Sequence, residues 1–578
     1  MATITDQTLM DKQPLIEFTD FTFQYFSQAE PTLYDINLNI YAGEKILIVG
    51  PSGSGKSTLG HCINGLIPFS YTGKITGSLK IKGEDTSQKN IFELSKSVGT
   101  VLQDSDGQFV GLTAGEDIAF ALENDNVPLD QMHHQVRRVA EMVDMQSWLT
   151  SSPFELSGGQ KQRTSLAGVM VNDVDILLFD EPLANLDPAT GKTAIEIIDD
   201  IHRQSGKTIL IIEHRLEDVL HRFVDRILVV REGRIIADMD AHALVSSDIL
   251  IETGIREPLY VTALKYAGVK VTEEMQPGYI TTLKAELSRD ALLEWQKNIQ
   301  PPDTKAVKPS ILRMENVSFS YDGIIPILQN INFDIREGEM VSLVGKNGAG
   351  KSTLSKLLCG FEKNDTGTIY FRGKDIKDKS IKERAEIIGA VLQNPNQMIS
   401  KPMIFDEIAL GLRFRNVPED EIEDRVEKVL KTCGLSPFRK WPISALSYGQ
   451  KKRVTIASIL VLGPQILILD EPTAGQDFRH YTDIMEFLVE INKTGVTIIL
   501  ITHDMHLMLE YTPRAIVLAG GRMIADTAAS VVLTDQAVIE EANLKETSLF
   551  HLANMAGIPE GTHFVQGFID YERRLKNR

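Results

Sequence analysis

Short apolar runs rich in branched side chains punctuate the chain, among them KILIV at 45–49, DILLF at 175–179 and TILII at 208–212. Strands buried on both faces of a parallel sheet carry unbroken runs of this kind. Elsewhere the apolar positions fall at helical spacing. Met132, Val136, Val139, Ala140 and Val143 share one helix face, and Ile422, Val426, Val429, Leu430 and Cys433 repeat the same intervals. Two matching amphipathic helices are predicted. Alternating strands and helices indicate an α/β fold with a largely parallel sheet.

The repetition extends well beyond those helices. GPSGSGKST at 50–58 returns as GKNGAGKST at 345–353, and VLQ ending at Gln103 returns ending at Gln393. FDEP at 179 returns as LDEP at 469, IIEH ending at His214 as LITH ending at His503, and GRIIAD at 233 as GRMIAD at 521. Order and spacing are kept throughout, as two copies of one fold require. We place the first copy at 14–240, an extension and linker at 241–310, the second copy at 311–526 and a C-terminal extension at 527–578. The extension carries a candidate helix from Ala285 to Lys297, followed by QPPDTKAVKPS. Its paired prolines disfavour helix, so the boundary is expected near residue 305.

Composition narrows the function. With 578 residues, 43% hydrophobic and 24% charged, the chain has ample apolar side chains for more than one core. The net charge of −19 would repel phosphate backbones and weighs against nucleic acid as the main ligand. Cys62, Cys359 and Cys433 lack CxxC spacing, so neither a disulfide framework nor a zinc or iron–sulfur site is signalled. The opening stretch MATITDQTLMDKQPL does not read as a signal peptide. No apolar stretch approaches the ~20 residues that span a bilayer.

The chemistry resides in the repeated phrases. Gly50, Pro51, Ser52, Gly53, Ser54, Gly55, Lys56, Ser57 and Thr58 fit a phosphate-binding loop between a strand and a helix. In such a loop backbone N–H groups approach the phosphates, the lysine reaches the β and γ oxygens, and the serine binds Mg²⁺. Gly345, Lys346, Asn347, Gly348, Ala349, Gly350, Lys351, Ser352 and Thr353 repeat it. Asp180–Glu181 and Asp470–Glu471 end apolar runs, which puts two carboxylates at the carboxyl end of a strand. The aspartate would bind Mg²⁺ and the glutamate would take a proton from attacking water.

Together these residues resemble two ATP-binding cassettes fused head to tail, over about 14–240 and 311–526. LSGGQKQR at 156–163 and LSYGQKKR at 446–453 match the cassette signature, and Asp187 and Asp477 match its D-loop. Gln103 and Gln393 match its Q-loop, which also reaches the metal, and His214 and His503 match its switch histidine. Tyr25 and Tyr321 match the aromatic that stacks on adenine. The resemblance implies that each ATP lies between the phosphate loop of one cassette and the signature of the other. One site would combine Lys56, Ser57, Gln103, Asp180, Glu181 and His214 with Ser447, Tyr448, Gly449 and Gln450. The other would combine Lys351, Ser352, Gln393, Asp470, Glu471 and His503 with Ser157, Gly158, Gly159 and Gln160. Tyr448 stands where the first copy has Gly158, yet binding there uses a backbone amide that tyrosine keeps. The ring need only turn aside, so two hydrolysing sites of unequal rate are expected.

The stretches after the two glutamines, and IIEHRLEDV at 211–219, resemble cassettes of energy-coupling-factor transporters for vitamins and metal ions such as cobalt. The first copy departs from that group in writing DSDGQ at 104–108. Fused tandem cassettes, and GIREPLYVTALKYAGV at 254–269, are similar to thiamine-precursor (hydroxymethylpyrimidine) uptake ATPases. This resemblance implies an integral membrane coupling subunit, a membrane substrate-binding subunit and a peripheral place on the cytoplasmic face of the cell membrane. The rival is a soluble tandem-cassette ATPase acting on the ribosome or nucleic acid. Those acting on the ribosome usually carry a long basic helical linker, whereas 241–310 is short and not notably basic.

Overall fold

The computed structural model describes residues 13–102, 105–184, 186–299 and 308–576. These form two compact units, 13–186 with 190–288 and 187–189 with 289–576. The boundary expected near residue 305 lies outside the described residues. The helix Arg289–Asn298, which realises the predicted one, groups with the second unit.

In the first unit the apolar runs become neighbouring strands of a six-stranded sheet. Its order is Arg234–Met239, Arg226–Arg231, Lys45–Val49, Thr208–Ile212, Ile176–Asp180 and Val98–Val101. All neighbours are parallel except the first pair. Register places Ile48 beside Ile212, and Asp180 beside Ile212 from the other side. Three motifs that lie far apart in sequence therefore emerge together, at the carboxyl ends of three adjacent strands. This is where ligands of such sheets sit.

A four-stranded antiparallel sheet, in the order Leu33–Ile40, Ile16–Tyr25, Gly73–Ile81 and Glu84–Asp85, covers one face. Its inward Phe18, Phe21, Phe23, Ile36 and Leu38 share one buried cluster with Ile46, Ile48, Leu178 and Leu210 of the parallel sheet. Each such side chain removed from water contributes about 1.5–3 kcal/mol.

The second unit repeats both sheets. The six-stranded one runs Ile388–Val391, Ile466–Asp470, Thr497–Ile501, Met340–Val344, Arg514–Ala519 and Arg522–Thr527. The four-stranded one runs Pro326–Arg336, Ser310–Ser320, Thr366–Phe371 and Lys374–Asp375.

The predicted amphipathic helices are Leu129–Met142 and Glu419–Thr432. Val136, Val139 and Ala140 are buried in one, and Ile422, Val426 and Leu430 in the other. The stretch 254–269 supplies a packing helix, Leu259–Tyr266, with Tyr260 fully buried and its hydroxyl donating to the Pro277 carbonyl at 2.7 Å. Among the described residues no helix is long and apolar enough to cross a membrane.

Candidate active site

Strand Lys45–Val49 runs directly into the loop 50–55 and the helix Lys56–Ile63; Met340–Val344 does the same before Lys351–Cys359. Close backbone approach explains the leading glycine. A Cβ on Gly50 would lie 2.1 Å from the Val230 carbonyl oxygen, and one on Gly345 2.0 Å from that of Leu518. Gly55 and Gly350 take φ of 104° and 100°, a region L side chains rarely enter. Lys56 Nζ donates to the carbonyls of Gly50 at 2.8 Å and Pro51 at 2.9 Å. Lys351 Nζ does likewise to Gly345 at 2.6 Å and Lys346 at 3.0 Å. Each ammonium is thus held across its loop. Neither helix has a side-chain cap, so its first-turn N–H groups are not claimed that way.

Ser57 Oγ donates to Asp180 Oδ1 at 3.3 Å across the gap between helix and sheet. Burial first, and the adjacent glutamate second, push the carboxyls of Asp180 and Asp470 up to about 6. A serine hydroxyl beside an aspartate carboxylate is a hard-oxygen donor pair. It fits Mg²⁺, which takes its remaining ligands from phosphate and water.

The next residue turns sharply: Glu181 has φ 50° and Glu471 φ 45°. Their amides are fixed by the carbonyls of Ile212 at 2.8 Å and Ile501 at 2.9 Å. Glu181 Oε1 lies 2.7 Å from His214 Nε2, and Glu471 Oε1 lies 2.7 Å from His503 Nδ1. Burial pushes the Glu181 carboxyl up, but the hydrogen bond and charge of His214 outweigh it and leave it below the usual value. A carboxylate held ionised beside a histidine, next to a hard-oxygen donor pair, can take a proton from water.

Tyr25 and Tyr321 stand at or just beyond the end of a strand of the antiparallel sheets, over the helix after the phosphate loop. The Tyr25 hydroxyl is 3.1 Å from Thr58 Oγ1, and that of Tyr321 is 3.3 Å from Thr353 Oγ1. Phosphate loop, aspartate, glutamate, histidine and aromatic therefore converge within each unit. Gln103 lies outside the described residues. Gln393 lies two residues past the end of the edge strand Ile388–Val391, and its carbonyl accepts from the Tyr448 hydroxyl at 3.4 Å.

The signatures open the helices Gly158–Met170 and Tyr448–Leu460. Ser157 and Ser447 are the N-caps, and Gln160 and Gln450 complete reciprocal capping boxes. Gly159 and Gly449 lie in the first turn of each. Tyr448 takes the first helical position without disturbing the cap, and the residue is 40% exposed.

Sequence reasoning missed the residues that brace the loop behind each glutamate. Buried Glu213 accepts from the amides of Leu183 at 3.1 Å, His214 at 2.8 Å and Arg215 at 3.2 Å. Its signal was an acid closing the apolar run TILII. The second unit has Thr502 there, whose Oγ1 donates to Glu471 Oε2 at 3.4 Å.

A family described as ABC transporter matches residues 33–184 and 328–474. One described as ATP-binding cassette cobalt transporter matches 247–319. A Clostridium perfringens protein named as an ABC transporter ATP-binding protein is 58% identical over 568 residues, spanning 98% of this chain and 100% of its own. An Enterococcus faecalis protein of the same name is 56% identical over 567 residues, spanning 98% and 100%. Among solved structures, cbiO1 from Clostridium perfringens, part of the ABC transporter complex cbiONQ, is 38% identical. It covers 41% of this chain and 95% of its own, with a TM-score of 0.38.

Proposed function

The chain belongs to the ABC transporter ATP-binding family, and we propose that it is the energy-coupling ATPase of a membrane importer of the energy-coupling-factor type. The observation that carries this reading is the presence, in each of two units, of a phosphate loop, a buried aspartate at the end of the strand beside it and a His-held glutamate. Lys56 and Lys351 would bind the β and γ phosphates, and Tyr25 and Tyr321 the adenine. Ser57 with Asp180, and Ser352 with Asp470, would hold Mg²⁺, joined by Gln103 and Gln393. When bound, Mg²⁺ neutralises charge on the transferring phosphoryl group. Glu181 and Glu471 take the proton of the attacking water, while His214 and His503 hold those carboxylates in place. Each ATP would be completed by the signature of the other cassette, Ser447 to Gln450 or Ser157 to Gln160, whose helix N-terminus favours the γ-phosphate.

The cargo we propose is a vitamin or related micronutrient, with a thiamine precursor as the leading case. A cobalt ion is the second reading, favoured by the family matched over 247–319. Both need a membrane-embedded coupling subunit and a substrate-binding subunit, with this chain bound peripherally at the cytoplasmic face. The net charge of −19 supports this over action on ribosomes or nucleic acid.

The chain should be recovered from membranes with its partners, and ATP hydrolysis measured for Glu181→Gln and Glu471→Gln separately. Each substitution is expected to lower the rate at least tenfold in single turnover at its own site, to unequal extents. A rate untouched by Glu181→Gln would show a dead first site. Recovery of ribosomal proteins and no integral membrane protein would overturn the transport reading.

A further inference from the structure

The two signature phrases, LSGGQKQR and LSYGQKKR, differ at two positions four residues apart, and in the second cassette those two residues meet. Where the first cassette has Gly158 and Gln162, the second has Tyr448 and Lys452. Lys452 is only 2% exposed, yet it carries an ammonium. Its Nζ lies 5.8 Å from the centre of the Tyr448 ring, one helical turn back. It donates to two backbone carbonyls, those of Glu471 at 2.9 Å and Pro472 at 2.5 Å. In the first cassette Gln162 Nε2 donates to the Pro182 carbonyl alone among these, at 2.6 Å. In both cassettes the glutamate's carbonyl accepts a backbone amide, that of Ala184 at 3.0 Å or Ala474 at 3.3 Å, and in the second the Lys452 ammonium adds to it, at the residue with the left-handed backbone.

A buried lysine is costly unless its donors are used, and a helix surface offers many cheaper residues for mere packing. Here the charge is spent next to the acid that sequence and geometry both mark for proton transfer. We infer that Lys452 is a positioning residue for Glu471, clamping its carbonyl so that the carboxylate keeps its aim, a contact that Gln162 at the matching place does not make. The unequal rates expected of the two sites then have a physical source in the second cassette's own helix. This rests on the proposed role of Glu471 as proton acceptor.

The test uses the full chain and single-turnover hydrolysis of bound ATP, with the affinity for ATP measured in parallel. In a Glu181→Gln background, which leaves the Glu471 site active, Lys452→Gln is expected to slow hydrolysis at least about fivefold with ATP affinity within about twofold, as misplacement of a reacting group does. Glutamine is the residue that the first cassette folds with at this place. Lys452→Met, which keeps the stem and loses both donors, should slow it further. In a Glu471→Gln background the same substitutions, which reach the Glu181 site only through Tyr448, should slow hydrolysis there by less than half as much. Equal slowing in both backgrounds, or no slowing in the first, overturns the inference. If instead the Glu181→Gln, Glu471→Gln double variant still hydrolyses ATP, the role of Glu471 itself fails, whatever Lys452 does.

Discussion

At the scale of single residues, Lys452 shows what a buried charge costs. Burial pushes its ammonium down from 10.5 to about 8, against the pull of Glu471 and Asp470. The unfolded chain keeps this proton to about 10.5, the folded chain only to about 8. Between those values unfolding takes up a proton, so stability rises with pH across that window. Below pH 8 the folded state carries the full penalty, about 3 kcal/mol. Urea denaturation from pH 7 to 10.5 should therefore show the second unit of the natural chain gaining up to about 3 kcal/mol on a Lys452→Gln chain. A difference constant with pH would refute the burial argument. Such residues were not legible in the sequence: Lys452 reads as one more cation in KKR, and its carbonyl partners lie 19 and 20 residues onward. The glutamates, histidines and loop lysines were legible because each sits within or beside a short repeated phrase.

At the scale of elements, the strands were legible as apolar runs, but their partners across the sheet and the charges between layers were not. Lys45 opens the central strand and is buried against Asp199 of the helix Pro188–Ser205, with side-chain exposures of 3% and 8%. The second cassette replaces both. Met340 opens the matching strand, and Val489 packs against the apolar cluster to which Met340 belongs. The correspondence follows from His202, which bonds the Gly43 carbonyl at 2.8 Å, as Asn492 does that of Gly338 at 3.2 Å. A buried ion pair is often no better than apolar residues of similar size, whereas a lone buried ion is costly. Asp199→Val should therefore destabilise the first unit by about 3–5 kcal/mol, and Lys45→Met with Asp199→Val should recover most of that loss. Chemical denaturation of the three chains checks this. A double variant as unstable as the single one would mean that the pair is specifically needed.

At the scale of the whole molecule, duplication made the function legible and divergence hid the inequality between the copies. Every phrase that touches nucleotide chemistry survives in both halves, while the braces behind it differ: Glu213 and Gln162 in one, Thr502 and Lys452 in the other. On the proposed function, each half holds one nucleotide and the chain two. Equilibrium dialysis of the Glu181→Gln, Glu471→Gln chain with Mg²⁺ and ATP should reach two bound ATP, and Lys351→Ala should lower this to one at the same concentrations. Because ligand bound only by the folded state stabilises it, ATP at a hundredfold over its Kd should add about 2.7 kcal/mol to a unit that binds it. Lys351→Ala should abolish that gain at its own phosphate loop and leave it at the other. One nucleotide per unaltered chain would mean that one of the two preserved phosphate loops has become purely structural, and the reading of two working sites would fall with it.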